Sequence, residues 1–190
     1  MLQLIRQSDF VEGRWRNDMG TSWDIVTERD EGAAEFSWRL AKARIDADVP
    51  FSIYPGMDRV FMQLQGNGLD LQFEGGRVIN VHESFVPHRF SCDIPLNCKL
   101  LDGPCLDLNL FYARDRFEVD ARVVKLAGRQ ELPVAGPGAV FFALDGACKL
   151  SAGGATVSLD KGDAAVLRLA KTVQAEGEDA TLFVGLLNAV

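Results

Sequence analysis

Apolar and polar residues alternate along most of this chain. In EFSWRL (35–40), Phe36, Trp38 and Leu40 alternate with Ser37 and Arg39. In RVFMQLQ (59–65), Val60, Met62 and Leu64 alternate with Phe61, Gln63 and Gln65. LDLQFEGG sets Leu69, Leu71 and Phe73 against Asp70, Gln72 and Glu74. CLDLNLFYAR sets Leu106, Leu108 and Leu110 against Asp107 and Asn109. A period of two over such lengths predicts strands with two unlike faces. Glycine turns punctuate them at GNG (66–68), GG (75–76), DGP (102–104) and AGG (152–154). No stretch carries the period of a long amphipathic helix. A turn or two near QSDFVEG or YARDRF is the most that the pattern supports.

The pattern also echoes itself. LQGNGLDLQFEGGRVINV begins at Leu64, and LDGACKLSAGGATVSL begins at Leu144. Each reads as an apolar strand, a glycine turn, an alternating strand, a double glycine and a further β-rich strand. The second copy runs on through DKGDAAVLRL, a tight turn and then a strand. This predicts two similar halves, 1–115 with the N-terminal strands and 116–190, sharing one compact unit. The seam falls near YARDRFEVDARVVKLAG, where charges crowd. Short strands closed by glycine turns predict an all-β chain with a sandwich or small barrel in each half.

Composition narrows the function classes. At 190 residues the chain can form one large domain or two small ones. A content of 47% hydrophobic and 25% charged residues is that of a soluble globular protein. A net charge of −7 would repel a phosphate backbone, which argues against nucleic acid as a partner. No run is long enough to span a membrane, and the opening MLQLIRQSDFVEGRW lacks the apolar core of a signal peptide, so no membrane partner and a cytoplasmic location are expected. Cys92, Cys98, Cys105 and Cys148 form no CxxC pair, so they read as buried free thiols rather than zinc ligands.

Four stretches carry a family likeness. The first is RWRNDMGTSWDI (14–25), similar to an early W-K-N-G-G-G-x-T pattern. The second is FSWRLAKARIDADVPFSIYPGMDRVFMQLQGNG (36–68), with its W-R strand, P-F-S, P-G-x-D-R and G-x-G. The third is LLDGPCLDLNLFYAR (100–114), similar to a D-G-x-x-x-D-x-N strand. The fourth is the hairpin and GD turn of LDGACKLSAGGATVSLDKGDAAVL (144–167). Together they make the chain resemble the HutD/Ves family of two-cupin proteins. The resemblance implies two cupin-type β-barrels in one chain, a bicupin. It also implies a link to histidine utilisation, with a formylated or imidazole-derived amino-acid catabolite as ligand. The chain departs from the family where Asp18 and Met19 stand in place of glycines.

The candidate chemistry is sparse. Metal-binding cupins gather two histidines, a glutamate and a third histidine on adjacent strands. Here Gln72, Glu74, His82, Glu83 and His88 follow GNG without an HxH pair, and Pro87 interrupts the histidines, so neither metal nor cofactor is expected. RWRNDMGTSWDI has too few glycines for a phosphate loop and leads into a strand. It reads instead as a turn or a binding rim: Trp15 as an aromatic wall, Asn17 as donor and acceptor, Thr21 or Ser22 as a hydroxyl. Arg39 lies opposite the apolar set of its strand, and Arg59 follows Asp58 after YPG, where an Asp58–Arg59 tie or a ligand contact both fit. An arginine turned into a cavity suits a carboxylate. Asp107 and Asn109 share a strand face and would fix a ligand or satisfy an arginine.

No G-x-S-x-G elbow or catalytic triad is readable from two histidines. Asp58 and Asp107 could serve as an acid–base pair, but with 27 acidic residues that discriminates little. The expectation is therefore a ligand-binding regulatory or buffering protein for a small anionic metabolite, lined by Trp15, Asn17, Thr21, Arg39, Arg59, Asp107 and Asn109. The alternative is a cupin-fold isomerase or hydrolase acting on a small polar metabolite. A third reading is a homodimer paired through sheet edges.

Overall fold

Strand β1 (Leu2–Ile5) opens the chain, and a 3-10 turn at Gln7–Asp9 follows it. The computed structural model describes all residues except 16–18, 31–34 and 135. The predicted Asn17 and Asp18 lie outside the described residues. Among those described, the 3-10 turn is the one helical element, and no helix is long and apolar enough to cross a membrane. The chain divides into two units, Val11–Asp115, and Met1–Phe10 with Arg116–Val190.

The unit Val11–Asp115 holds β2 (Val11–Arg14), β3 (Thr21–Glu28), β4 (Trp38–Ile45), β5 (Val49–Pro50), β6 (Met57–Gln65), β7 (Leu69–Phe73), β8 (Val78–Val81), β9 (His88–Ser91), β10 (Leu96–Leu100) and β11 (Cys105–Ala113). They form a six-stranded sheet, β2-β3-β4-β11-β6-β9, and a four-stranded sheet, β5-β10-β7-β8. Ile45, Phe61, Leu69, Leu71, Phe90 and Cys98 belong to the core of this unit. The turn between β6 and β7 requires its glycine. Gly66 sits at φ +123°, and a Cβ there would meet Cys105 Sγ at 2.5 Å.

Two sequence expectations change here. Alternation along β11 sorts residues by chemistry, not by exposure: Leu108 and Leu110 on one face are as buried as Asp107 and Asn109 on the other. And Phe36 does not continue the face of Trp38 and Leu40. The strand begins only at Trp38, after a bend in which Ser37 N–H donates to Glu28 O at 2.8 Å. Phe36 turns instead toward Met57, Cys92 and Phe111.

The other unit holds β12 (Phe117–Pro133), β13 (Gly138–Asp145), β14 (Cys148–Ala152), β15 (Ala155–Leu159), β16 (Ala164–Arg168) and β17 (Thr172–Ala189), joined with β1 in one seven-stranded sheet. Its core includes Leu126, Phe141, Leu150, Leu159, Val173 and Leu182. The sequence echo falls on matching runs of structure, β6–β7–β8 and β13–β14–β15, with the double glycines in the second turn of each. The first ten residues do not join the half that follows them. β1 pairs antiparallel with β16, from Leu2 opposite Leu167 to Ile5 opposite Ala164. The buried Asp163 carboxylate then accepts from Gln7 N–H at 3.1 Å and from Arg6 Nη1 at 2.5 Å. Apolar pairing and a charge-assisted clasp thus hold the segment in the second unit.

Candidate functional site

Three neighbouring strands build the floor of a cavity in the unit Val11–Asp115. Across β4, β11 and β6 the register sets Arg39, Phe111 and Arg59 in one row. The next row on the same face is Ala41, Asn109 and Phe61, and the third is Ala43, Asp107 and Gln63. Residues two apart on a strand share a face, so the polar members converge. Ala41 and Ala43 are too small to fill the space opposite Asn109 and Asp107. What remains is about 420 Å³ of atom-free volume, counted out to the open mouth.

The walls come from loops. Trp15 precedes β3, and Phe51, Ser52 and Tyr54 follow β5. Trp15 meets Phe51 edge-on at 5.9 Å, and Tyr54 lies 5.2 Å from the Phe111 ring. Trp15 Nε1–H donates to Thr21 O at 3.0 Å, which fixes the indole. Gly20 makes room for it, since a Cβ there would stand 2.5 Å from Trp15 Cε2.

The two arginines differ in what they hold. Arg39 is committed: Nε donates to Asp24 Oδ1 at 2.7 Å, Nη2 donates to the same oxygen, and Nη2 also donates to Ser22 Oγ at 3.2 Å. Arg59 is only 6% exposed, stacked 4.3 Å from the Phe111 centroid and 4.9 Å from that of Phe51. Among the described residues no carboxylate pairs with it, and its Nε has no hydrogen-bond partner. The guanidinium therefore carries a buried charge held by aromatic faces.

Asp107 and Asn109 are 1% and 4% exposed. Asn109 Nδ2 donates to Asp107 Oδ2 at 3.3 Å, while Asp107 Oδ1 and Asn109 Oδ1 have no partner. Burial pushes the Asp107 carboxyl up to about 7, against the opposing pull of the Asn109 hydrogen bond and the Arg59 charge. Three orphaned polar atoms thus belong to residues that line one cavity. Buried groups without partners are costly, which sets this cluster apart from the apolar core around it.

Of the residues expected from sequence, Trp15, Arg39, Arg59, Asp107 and Asn109 line this cavity. Thr21 does not; the hydroxyl is that of Ser22, because neighbouring residues on a strand point to opposite faces. The Asp58–Arg59 tie is not formed. Asp58 pairs with Arg114 at 3.1 Å, because Asp58 and Arg59 likewise point to opposite faces. His82 Nε2 lies 2.8 Å from Asp70 Oδ1, and neither His82 nor His88 lines the cavity. The described residues contain no group of three or more His, Cys, Asp or Glu placed to hold a metal ion. All four cysteines are buried and unbridged, and burial raises each thiol, which leaves them inert as nucleophiles. Sequence reasoning missed Phe51, Ser52, Tyr54, Ala41, Ala43 and Phe111.

Comparison with known proteins follows the same outline. A family model described as HutD matches residues 7–183. A Pseudomonas putida protein, described as an uncharacterized 21.2 kDa protein in the hutC 3′ region, is 32% identical over 158 residues, covering 82% of this chain and 80% of that one. A conserved protein of unknown function from Pseudomonas aeruginosa PAO1 superposes with a TM-score of 0.89 at 24% identity over 99% of both chains. HutD from Pseudomonas fluorescens SBW25, solved in a formate condition, gives 0.83 at 23% identity over 100% of both. A bacterial pirin from Escherichia coli in complex with nickel(II) gives 0.70 at 12% identity, over 99% of this chain and 100% of that one. These structural likenesses concern fold: the chain is all-β, with cupin-type barrels.

Proposed function

The chain belongs to the HutD family, and from that premise we propose that it is a binding protein for a small carboxylate metabolite, with a regulatory or buffering role linked to histidine catabolism. One observation carries the reading: the buried Arg59 guanidinium lines an open cavity with no carboxylate partner among the described residues, and its Nε is unsatisfied. A planar cation in an aromatic frame matches a carboxylate in charge and shape. Arg39, across Phe111, fixes the rim through Asp24 and Ser22. Asn109 Oδ1 offers an acceptor for an N–H of the same ligand. The names of the relatives, HutD and a protein beside hutC, support the metabolic link.

The test is calorimetric titration with formate, N-formylglutamate, urocanate and glutamate, with formamide as the neutral control. A carboxylate should bind and formamide should not, and Arg59→Met should abolish binding while keeping the melting temperature within a few degrees. Equal binding of formate and formamide, or a carboxylate affinity that survives Arg59→Met, would refute the proposal. The alternative, a cupin-fold isomerase or hydrolase, is favoured by one feature, a cavity carboxyl that titrates near neutrality in Asp107. NMR of a bound metabolite over hours separates the two: unchanged signals support binding, and a new product supports the enzyme.

A further inference from the structure

We infer that the cavity takes up its anion together with one proton, held by the Asp107 carboxyl; this rests on the carboxylate-binding reading above. The argument begins with charge. Among the cavity-lining residues the ionisable side chains are those of Arg39, Arg59, Asp107 and Tyr54. Arg39 is already paired with Asp24. That leaves Arg59 and Asp107, which feel each other without forming an ion pair. Their charges sum to zero when both are ionised. An arriving carboxylate would set two negative charges against the one positive charge left uncommitted among the described residues. In a buried site that excess is unfavourable, and protonation of the carboxyl restores neutrality.

Geometry gives the proton a use. Asp107 Oδ1 is buried and unpartnered at the cavity wall, while Oδ2 already accepts from Asn109 Nδ2. A protonated Oδ1 becomes a donor, which a ligand carboxylate can accept. The groups that face Asp107 are Arg59 from β6, Arg39 from β4, Cys98 from β10 and Cys105 from its own strand. Both thiols are raised by burial and stay neutral at physiological pH. Neither histidine lines the cavity. Asp107 is therefore the group through which ligand and proton are coupled.

The experiment titrates formate and N-formylglutamate into the wild-type protein and Asp107→Asn by calorimetry from pH 6 to pH 9. Phosphate and Tris, with different ionisation enthalpies, report the protons exchanged. Neither probe titrates in this range, since carboxylates ionise near 4. With the Asp107 carboxyl at about 7 in the empty site, the wild-type affinity should fall about tenfold from pH 6 to pH 8 and about a hundredfold by pH 9. Proton uptake should approach about one per ligand at pH 8 and about a tenth at pH 6. Asp107→Asn, whose amide stands in for the protonated carboxyl, should bind without pH dependence and without proton uptake. Wild-type binding with constant affinity and no uptake overturns the inference and leaves the carboxylate reading intact. Uptake that persists in Asp107→Asn, or a folded variant that has lost binding, also overturns it. Binding of neither probe at any pH overturns both readings. If the variant fails to fold, the wild-type proton count decides alone.

Discussion

Replacing Asp107 by asparagine should stabilise this protein above neutral pH, contrary to the usual cost of changing a buried polar residue. The carboxyl is 1% exposed and is pushed from 3.8 to about 7 by burial. The folded state therefore binds the proton more tightly than the unfolded chain. The stability associated with the protonated carboxyl is complete below pH 3.8 and is lost as pH rises through about 7. A displacement of about three units corresponds to about 4 kcal/mol at most, since each unit is about 1.4 kcal/mol. The amide removes the charge, keeps the shape, and can exchange hydrogen bonds with Asn109, whose Oδ1 is unpartnered. We expect a gain of about 2–4 kcal/mol at pH 8, seen as a rise in the melting temperature of roughly 5–15 °C in a chain of this length. The gain should shrink as pH is lowered and vanish near pH 4. Thermal unfolding of both proteins in matched buffers from pH 4 to pH 9 reads it directly. A variant that melts lower than wild type at pH 8 would refute the reasoning. It would mean that Arg59 holds the Asp107 carboxylate more strongly than burial disfavours it, so that loss of the buried counter-charge costs about 3–5 kcal/mol.

Three further outcomes follow from the same geometry. Gly20→Ala should displace the Trp15 ring and weaken carboxylate binding by about tenfold, through loss of about 1.4 kcal/mol of wall contact; the shift of one of the three indole N–H signals in NMR checks the displacement. Ala43→Leu should occupy the space opposite Asp107 and reduce affinity by about tenfold or more while changing stability by less than about 1.5 kcal/mol, measured by titration and urea unfolding. Asp163→Ala should cost about 3 kcal/mol in urea unfolding, because it orphans the N–H groups of Gln7 and Asp160 and leaves Arg6 only its longer contact with Asp160. Despite the upward push of burial, hydrogen bonds from Asp160, Arg6 and Gln7 hold the Asp163 carboxyl below the usual range, so the wild-type share of that stability is present above pH 3.8 and lost as pH falls through the lowered value.

Much of the strand pattern was legible because the period of two is written directly in the residues. The facing of Asp107 and Asn109 followed from their spacing on CLDLNLFYA alone, and the structure places both against one cavity. Arg39 and Arg59 could be named as candidates for the same reason. Their difference could not, since it depends on Asp24 reaching Arg39 from the neighbouring strand and on no carboxylate reaching Arg59 among the described residues. Register decided the rest. Ser22 rather than Thr21 faces the cavity, and Asp58 finds Arg114 rather than Arg59. Phe51 and Tyr54 lie in PFSIYPG, an irregular segment with no period to read, although two aromatics there were a usable signal. Ala41 and Ala43 carry no chemistry, and their contribution is the space they leave.

The pairing of β1 with β16 has a consequence for how the chain is born. Leu2 is made 165 residues before its partner Leu167. At about 5–20 residues per second that interval is roughly 8–33 s. Residues 11–115 are complete well before then and can close their own sheets, while the N-terminal strand waits unpaired. Capture of β1 thus waits on a strand made much later, with β16 as the receiving edge and Asp163 as the latch. A C-terminal fragment beginning at Arg116 would lack that strand and leave the edge of β16 open. Supplied in trans, a peptide of residues 1–10 should fill it.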